Sequence, residues 1–335
     1  MSLRYLNFWA GETLNGKSYV YGGSYEGIYE VDLIHGTCGN AYIGKGVGLV
    51  NENLEASSMH YNIAFRYDNE IWYIPAFECD RILIFNTVEH TASYITVPQS
   101  RESWMFRAYY IFDGYVWLFP YSYGQILKIS LKNRIIEYSM ECSDHKFLDG
   151  VGIGNKFFLC SEGDYNKLYL FDMIEEKLSD LALDFADEYV RIREYQGKLL
   201  LLHKKLINGI MIYDTESHKC INRSFNNIVE YDTATEIAGC VIDGDNIYLS
   251  TNNGDESILV LNGFDMNVTN IYRLENQGEM ANYCYDLKLG DDCVFCPINP
   301  KYPAIVLRDG MMNMHYLVPQ IVDGLKLFLN TVAYN

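Results

Sequence analysis

Aromatic and charged residues cluster in the polar stretches that separate short runs of strand-forming residues. Such stretches form loops, where packing constrains side chains less than it does in strands. Aromatic rings beside carboxylates and amides can hold a carbohydrate, or a basic or aromatic peptide. Nine residues are therefore the candidates for a ligand-binding site: Phe77, Trp104, Arg107, Tyr121, Tyr123, His145, Tyr165, Arg191 and Glu236.

Four arginines lie in or near the first strand-forming run of a structural repeat: Arg66, Arg107, Arg191 and Arg193. A guanidinium group can bind a carboxylate or a phosphate through two parallel hydrogen bonds. The same group can instead neutralise neighbouring acids and hold packed elements together. We favour the second role for the set, and keep Arg107 and Arg191 among the ligand-binding candidates.

The sequence contains little that indicates a metal or a cofactor. Its seven histidines are scattered, and none is paired at the spacing of metal ligands. Cys293 and Cys296 are three positions apart on a strand-forming run, so their side chains point to opposite faces. No phosphate loop, nucleophile elbow or dinucleotide motif is present. We therefore predict no catalytic residue, no metal site and no cofactor.

One alternative assigns an enzymatic function to the same loops. His60 and His145 each precede the first run of a repeat, and acidic residues stand in comparable loops at Glu102, Asp144 and Glu236. Grouped around a divalent ion, such side chains could act as general base and acid. This alternative predicts a metal-dependent lyase or hydrolase that acts on a small molecule or a glycan.

The elements that would position these residues form a repeat. An aliphatic residue is followed four positions later by Asp, Asn or Ser, which ends a strand-forming run. The pattern occurs seven times: Ile28–Asp32, Ile82–Asn86, Ile126–Ser130, Leu168–Asp172, Ile210–Asp214, Ile258–Asn262 and Ile305–Asp309. We expect the final polar residue to accept a backbone hydrogen bond and to start the next turn.

Each repeat holds four strand-forming runs, with turn residues such as Asn15-Gly16 and Asp113-Gly114 between the first run and the second. Many runs are apolar throughout, which is typical of strands that are buried on both faces. A repeat of roughly 40 to 50 residues built from short strands is typical of a β-propeller blade. We predict an all-β fold, a seven-bladed β-propeller of four-stranded antiparallel blades. The alternatives are six or eight blades, or a β-solenoid.

Residues 1–335 are interpreted as a single propeller domain. Pro75, Pro120 and Pro297 are expected to end second strands, because proline has no N–H to donate to a neighbouring strand. A strand over residues 326–334 is expected to close the ring, so that no edge stays open. Blades are expected near residues 3–45, 60–98, 104–140, 147–183, 189–226, 235–275 and 282–320.

The overall charge limits the partners. The formal net charge is −18, which repels phosphate backbones and anionic membrane surfaces, so we expect neither nucleic acid nor membrane as a partner. The N-terminal residues read as a first strand and lack the apolar core of a signal peptide. Nine cysteines, several of them within strand-forming runs, are typical of buried free thiols in a reducing compartment. We therefore expect a cytoplasmic location.

Parts of the sequence resemble known propeller families. YVYGGSYEGIYEVDLIHGT, with Gly22 and Gly23, resembles a kelch motif, although the fourth-strand tryptophan of kelch repeats is absent. IWYIPAFECDRILIFNTVEHTASYITVP and VWLFPYSYGQILKISLKNRIIEYSME resemble blades of the propeller lyases that inactivate streptogramin-type antibiotics. Both resemblances imply the propeller architecture. Our leading hypothesis is a non-enzymatic scaffold whose loop face binds a protein, peptide or glycan.

Overall fold

The computed structural model describes residues 6, 8–22, 27–42, 60–76, 79–98, 105–183, 187–225, 228, 231–274, 281–299 and 301–317. These residues form 28 β-strands and one short 3₁₀ helix, Leu206–Asn208. The strands make seven four-stranded sheets, and within each sheet the strands lie in chain order. The prediction of a seven-bladed, all-β propeller is confirmed. No helix in the described part of the chain is long and apolar enough to cross a membrane. The predicted closing strand over 326–334 lies outside the described residues.

The chain divides into two compact units, residues 1–105 with 285–335, and residues 106–284. The first unit contains β1 (Phe8–Leu14), β2 (Lys17–Gly22), β3 (Gly27–Asp32) and β4 (Thr37–Tyr42) of blade 1, β5 (Tyr61–Tyr67), β6 (Glu70–Pro75), β7 (Arg81–Asn86) and β8 (Thr91–Thr96) of blade 2, and β26 (Asp292–Pro297), β27 (Ala304–Arg308) and β28 (Met311–His315) of blade 7. The unit boundary falls within β25 (Tyr283–Leu289), the first strand of blade 7.

The second unit contains blades 3 to 6. Its strands are β9 (Phe106–Phe112), β10 (Tyr115–Pro120), β11 (Gln125–Ser130) and β12 (Ile135–Glu141), then β13 (Phe147–Ile153), β14 (Lys156–Ser161), β15 (Lys167–Asp172) and β16 (Lys177–Ala182), then β17 (Tyr189–Tyr195), β18 (Lys198–His203), β19 (Ile210–Asp214) and β20 (Cys220–Arg223), and finally β21 (Glu236–Asp243), β22 (Asn246–Asn252), β23 (Ser257–Asn262) and β24 (Val268–Arg273). The first strands β9, β13, β17 and β21 lie side by side in that order. Consecutive blades in this unit therefore pack against one another.

A two-residue turn joins the first strand to the second in every blade. At Asp113-Gly114 both residues have positive φ, 49° and 76°, and at Gln196-Gly197 the values are 50° and 77°. Positive φ at both central residues defines a type I′ turn, whose twist matches that of the flanking strands. In these hairpins the turn residues identified from the sequence therefore set the register of the two strands.

Six of the seven repeated Asp, Asn or Ser residues have the structural role that the sequence predicts. Oδ1 of Asp172 accepts hydrogen bonds from the backbone N–H groups of Ile174, at 2.9 Å, and Glu175, at 3.0 Å. The same pair of bonds forms at Asp32, Asn86 and Asp214, and single bonds of this kind form at Ser130 and Asn262. The bonds from Glu175 and Ile174 lower the pKa of Asp172. These side chains therefore fix the turn between the third and fourth strands.

Aromatic residues fill the space between adjacent blades. In the first unit, the ring of Tyr21 in blade 1 lies 4.6 Å from that of Tyr61 in blade 2. In the second unit, Phe119 of blade 3 and Phe157 of blade 4 have ring centroids 4.6 Å apart. Both phenylalanines are fully buried, and burying such a side chain contributes about 1.5–3 kcal/mol. Strands that are apolar on both faces thus bury both faces between neighbouring blades.

Arg191 on β17 contacts backbone carbonyls on the first strands of the next two blades, β21 and β25. It is 8% exposed, and its Nη2 donates to the carbonyl oxygens of Ala238, at 2.5 Å, and Cys284, at 3.0 Å. Its Nη1 donates to the carbonyl of Val190 at 2.9 Å. This predicted ligand-binding residue therefore satisfies backbone acceptors on β21 and β25.

Arg193, two positions further along β17, joins three blades. Its Nε donates to the carbonyl oxygen of Cys240 on β21 at 2.9 Å, and its Nη1 donates to Oδ2 of Asp149 on β13 at 2.5 Å. Asp149 also accepts the backbone N–H of Ile192 at 3.1 Å. A largely buried carboxylate is stable as an anion only when it has such partners. The favoured reading of these arginines, that they hold packed elements together, describes both Arg191 and Arg193.

We predict that Asp172→Ala lowers the free energy of unfolding by about 1 kcal/mol, because the substitution removes the acceptor for two turn N–H groups. Asp172→Asn should have a smaller effect, since Asn86 and Asn262 accept equivalent bonds. Because folding lowers the pKa of Asp172, its anionic form stabilises the fold above the unfolded-state pKa of about 3.9. The difference between wild type and Asp172→Asn in urea unfolding should disappear as the pH falls through the folded-state pKa. An equal loss in both variants at pH 7 would contradict this account.

We predict that Arg193→Met lowers the free energy of unfolding by about 2–4 kcal/mol, because it leaves the Asp149 carboxylate partly buried without its guanidinium partner. Methionine keeps an apolar stem, so the change isolates the lost hydrogen bonds and charge. Lys132→Met is the matched control, since Lys132 is exposed in the turn between β11 and β12. Urea unfolding measures both variants, and similar small losses in the two would overturn the assignment.

Candidate functional site

The link after the second strand and the link after the fourth strand leave each blade at the same end, because consecutive strands run in opposite directions. The link after the fourth strand leads into the next blade, so blades 3 to 6 share this end. We call it the loop end of residues 106–284. Its described links include 121–124, 142–146, 162–166, 187–188, 204–209, 231–235 and 253–256.

The loop end carries six of the nine predicted ligand-binding residues. Four lie in the links and two at the starts of β9 and β21: Tyr121, Tyr123, His145, Tyr165, Arg107 and Glu236. Arg191 is the third residue of β17 and donates to backbone carbonyls, as described above. Phe77 and Trp104 lie outside the described residues.

The side chains of Arg107, Lys146 and Glu162 lie around that of Tyr121. The guanidinium carbon of Arg107 lies 5.6 Å from the centroid of the Tyr121 ring, and Nζ of Lys146 lies 5.7 Å from it. The Tyr121 hydroxyl donates to Oε2 of Glu162 at 2.9 Å. The same Oε2 lies 3.7 Å from Nζ of Lys146. We call these four residues the Tyr121 cluster.

Burial and the hydrogen bond to the neighbouring Glu162 raise the pKa of the Tyr121 hydroxyl, while the charge of Arg107 acts in the opposite direction. The hydroxyl therefore keeps its proton and acts as a donor. A cation within about 6 Å of a tyrosine centroid is attracted to the ring face. Arg107 and Lys146 both meet this condition, so two cations flank one ring in a strongly acidic chain.

An open cleft adjoins the segment that supplies Lys146. It has a volume of about 340 Å³ and is lined by Met140, Glu141, Cys142, Ser143, Asp144, His145, Glu176, Lys177 and Leu178. The His145 ring lies 4.5 Å from that of Tyr169 and 5.7 Å from that of Phe147. Its Nδ1 is buried and has no hydrogen-bond partner among the described residues. Segment 142–146 therefore borders the Tyr121 cluster at one end and lines an acidic cleft along the rest.

Cys142 is the one thiol that lines the cleft. Burial raises its pKa to about 11, and the carboxylates of Asp144 and Glu141 contribute to the same shift. Only the thiolate form is a strong nucleophile. At neutral pH the Cys142 thiol stays protonated, so it contributes apolar packing to the cleft wall.

Glu236 is the centre of a second polar group at the loop end. Lys205 Nζ donates to its Oε1 at 2.8 Å, and Asn253 Nδ2 donates to its Oε2 at 2.7 Å. Burial raises the pKa of Glu236, but the hydrogen bonds from Lys205 and Asn253 outweigh it, so the net pKa is lowered. Nearby, Nζ of Lys204 lies 3.0 Å from Oε2 of Glu188. Glu236 is therefore held as an anion that already has two donors.

The remaining predicted residues have different surroundings. The ring of Tyr123 packs against that of Phe106, with centroids 5.0 Å apart. Tyr165 is 56% exposed. Lys146 and Lys205 are not among the predicted residues, because the prediction for the loops rested on aromatic and acidic side chains. Their position in the sequence could have identified them as candidates, since basic residues are scarce in this chain and both of these lie in loop-end links.

The residues of the enzymatic alternative are only partly brought together. Asp144 and His145 both line the cleft. His60 is buried in the unit that contains blades 1 and 2, and Glu102 lies outside the described residues. In the described part of the chain, no three His, Cys, Asp or Glu side chains are grouped as ligands for a metal ion.

Comparison with known proteins identifies the fold and no family. No protein-family model matches the sequence, so the kelch resemblance has no support from that comparison, and no curated protein matches either. Among solved structures, virginiamycin B lyase from Staphylococcus aureus is similar, with 13% identity, a TM-score of 0.63, and coverage of 89% of this chain and 95% of that one. A streptogramin B lyase structure has 14% identity, a TM-score of 0.62, and coverage of 89% and 93%. Kluyveromyces lactis Hsv2 has 8% identity, a TM-score of 0.58, and coverage of 90% and 92%. With identities this low, the structural similarity shows a shared β-propeller fold and no shared function.

We predict that iodoacetamide at pH 8 modifies Cys142 at least about 100-fold more slowly than it modifies free cysteine. A pKa of about 11 leaves that much less thiolate than an ordinary thiol has. Peptide mass spectrometry of the labelled protein measures the rate at each cysteine, and Cys142→Ser identifies the peptide. Rapid labelling of Cys142 would show a reactive thiolate in the cleft.

Proposed function

We propose that this chain is a non-enzymatic β-propeller that binds a protein or peptide ligand at its loop end, beside blades 3 and 4. The binding site comprises the Tyr121 cluster and the cleft lined by residues of segment 142–146. The observation that carries the proposal is the Tyr121 ring, half-buried at a loop and flanked by Arg107 and Lys146. Tyrosine and arginine are enriched among the residues that dominate protein interfaces.

The chemistry of the titratable groups supports binding over catalysis. The Tyr121 hydroxyl and the Cys142 thiol both have raised pKa values, so neither is poised to lose its proton at neutral pH. Glu236 has a lowered pKa and two hydrogen-bond donors. General bases and nucleophiles need pKa values near the working pH. Tyr121, Cys142 and Glu236 are therefore better suited to hold a ligand than to transfer protons.

The proposed partner classes rest on the net charge, and the proposed location rests on the free cysteines. A net charge of −18 favours a protein or peptide ligand over nucleic acid or an anionic membrane. All nine cysteines are free, and seven of them are buried. Free buried thiols persist in a reducing compartment. The proposed location is therefore the cytoplasm.

A lyase is the second candidate, and the structural similarity favours it. Virginiamycin B lyase and streptogramin B lyase share the fold over most of this chain. His145 and Asp144 at the cleft would supply the acid and base of such an enzyme. Fold similarity alone is a weak guide to function, because propellers of one architecture carry unrelated sites.

We predict that wild type captures a protein from lysate of the native source and that Tyr121→Ala weakens the complex by about 30-fold, the loss of about 2 kcal/mol that defines a central interface residue. Tyr138→Ala is the matched control. Tyr138 is also partly exposed, at 39%, but lies on the outer strand β12 away from the loop end. Affinities are measured with the purified partner by calorimetry. Equal affinities for wild type and Tyr121→Ala would refute the proposed site.

The same material distinguishes the lyase. Wild type and His145→Ala are incubated with virginiamycin B and Mg²⁺, with and without EDTA, and the products are separated by chromatography. Turnover that needs the metal and His145 would replace the binding proposal with the enzymatic one. Partner capture that is unaffected by EDTA, with no turnover, supports the scaffold.

A further inference from the structure

We propose that Arg107, Tyr121 and Lys146 form a carboxylate-binding subsite, and that Glu162 occupies the place of the ligand carboxylate in the unbound protein. This inference rests on the proposed function and names the ligand chemistry. The ligand is a peptide segment that presents a carboxylate, either on an acidic side chain or at its C-terminus.

The geometry at Glu162 is that of a bound anion. One oxygen, Oε2, accepts the Tyr121 hydroxyl at 2.9 Å and lies 3.7 Å from Nζ of Lys146. An ionised acceptor strengthens a hydrogen bond from a hydroxyl, and a nearby ammonium adds attraction. A carboxylate from another molecule at the same position would have the same two partners. Arg107, on the ring of the same tyrosine, adds a second positive charge to the subsite.

The contact with Glu162 is weak enough to be exchanged. The Lys146 and Glu162 side chains are 57% and 42% exposed. Water screens an ion pair of this exposure, and holding two long side chains in one geometry costs entropy. Glu162 itself lies in the link between β14 and β15, directly after the end of β14. Displacement of Glu162 therefore requires a side-chain rotation and leaves the packed blades unchanged.

The nearby cations Arg107 and Lys146 attract a ligand carboxylate even though the chain as a whole is acidic. At physiological ionic strength the Debye length is about 8 Å, so distant carboxylates are largely screened. The two cations of the Tyr121 cluster lie within that distance of the ring centroid. Acidic residues of the adjoining cleft, such as Asp144, stand two positions from Lys146. They would select against ligands with several negative charges and favour one carboxylate followed by neutral or basic residues.

The test uses three short peptides with the full-length protein. Acetyl-Gly-Glu-Gly-amide has a side-chain carboxylate, acetyl-Gly-Gln-Gly-OH has a C-terminal carboxylate, and acetyl-Gly-Gln-Gly-amide has neither. Ring signals of ¹³C-labelled tyrosine report binding by NMR, and Tyr121→Phe assigns the Tyr121 signal. We expect the Tyr121 signal to shift with at least one carboxylate peptide and to stay unchanged with the neutral one.

The variants separate the subsite from general charge effects. Glu162→Gln removes the internal competitor and should tighten carboxylate binding by about two- to five-fold, which corresponds to the loss of a weak exposed ion pair. Lys146→Met should weaken binding by at least about five-fold. Glu188→Gln is the matched control, because Glu188 pairs with Lys204 at the same loop end but does not contact Tyr121. It should leave the affinity unchanged.

The outcomes distinguish this inference from the proposed function. An equal Tyr121 shift with the neutral peptide, or the same effect from Glu162→Gln and Glu188→Gln, overturns the carboxylate subsite. If the purified partner still depends on Tyr121 in that case, the binding function stands and only the ligand chemistry is wrong. A charge-dependent shift without any Tyr121-dependent protein partner supports the subsite and removes only the protein ligand from the proposed function.

Discussion

The structure depends on the packing of sheets that are apolar on both faces. The middle strands of the blades bury most of their side chains, and in β6 all six residues are buried. A single four-stranded sheet of this kind would expose two hydrophobic faces to water, so no blade is stable alone. Stacking blades removes both faces from water.

This packing explains where polar chemistry is placed. The largely buried charges of Arg193 and Asp149, which join neighbouring blades, are paired with each other and hydrogen-bonded to the backbone. At the turns between the third and fourth strands, polar side chains such as that of Asp172 accept hydrogen bonds from backbone N–H groups. Some side chains in the loop-end links also accept backbone N–H groups, as Asp232 and Glu256 do. The side chains of Tyr121, Lys146 and Glu162 instead contact one another, so they can exchange these contacts for contacts with a ligand.

The electrostatics of the loop end depend on position and not on net charge. The chain is strongly acidic, yet two cations lie within 6 Å of the Tyr121 ring centroid and a single carboxylate accepts the Tyr121 hydroxyl. Exposed pairs of this kind are individually weak. Weak internal contacts suit a recognition surface, because a ligand can exchange with them without loss of the fold. The contacts of Arg193 with Asp149 and with the Cys240 carbonyl are stronger, because they are largely shielded from water.

The sequence by itself determined the strand count, the hairpin turns and the role of the repeated Asp, Asn or Ser. Those features are local: a type I′ turn needs two residues that tolerate positive φ, and a side-chain oxygen reaches N–H groups only two or three positions away. The sequence also placed Tyr121 and His145 at loops, because loop position follows from strand order. It did not show that Lys146 and Glu162 would meet at Tyr121. That arrangement joins residues up to 41 positions apart, across two blades, and only the packing of one blade on the next brings them together.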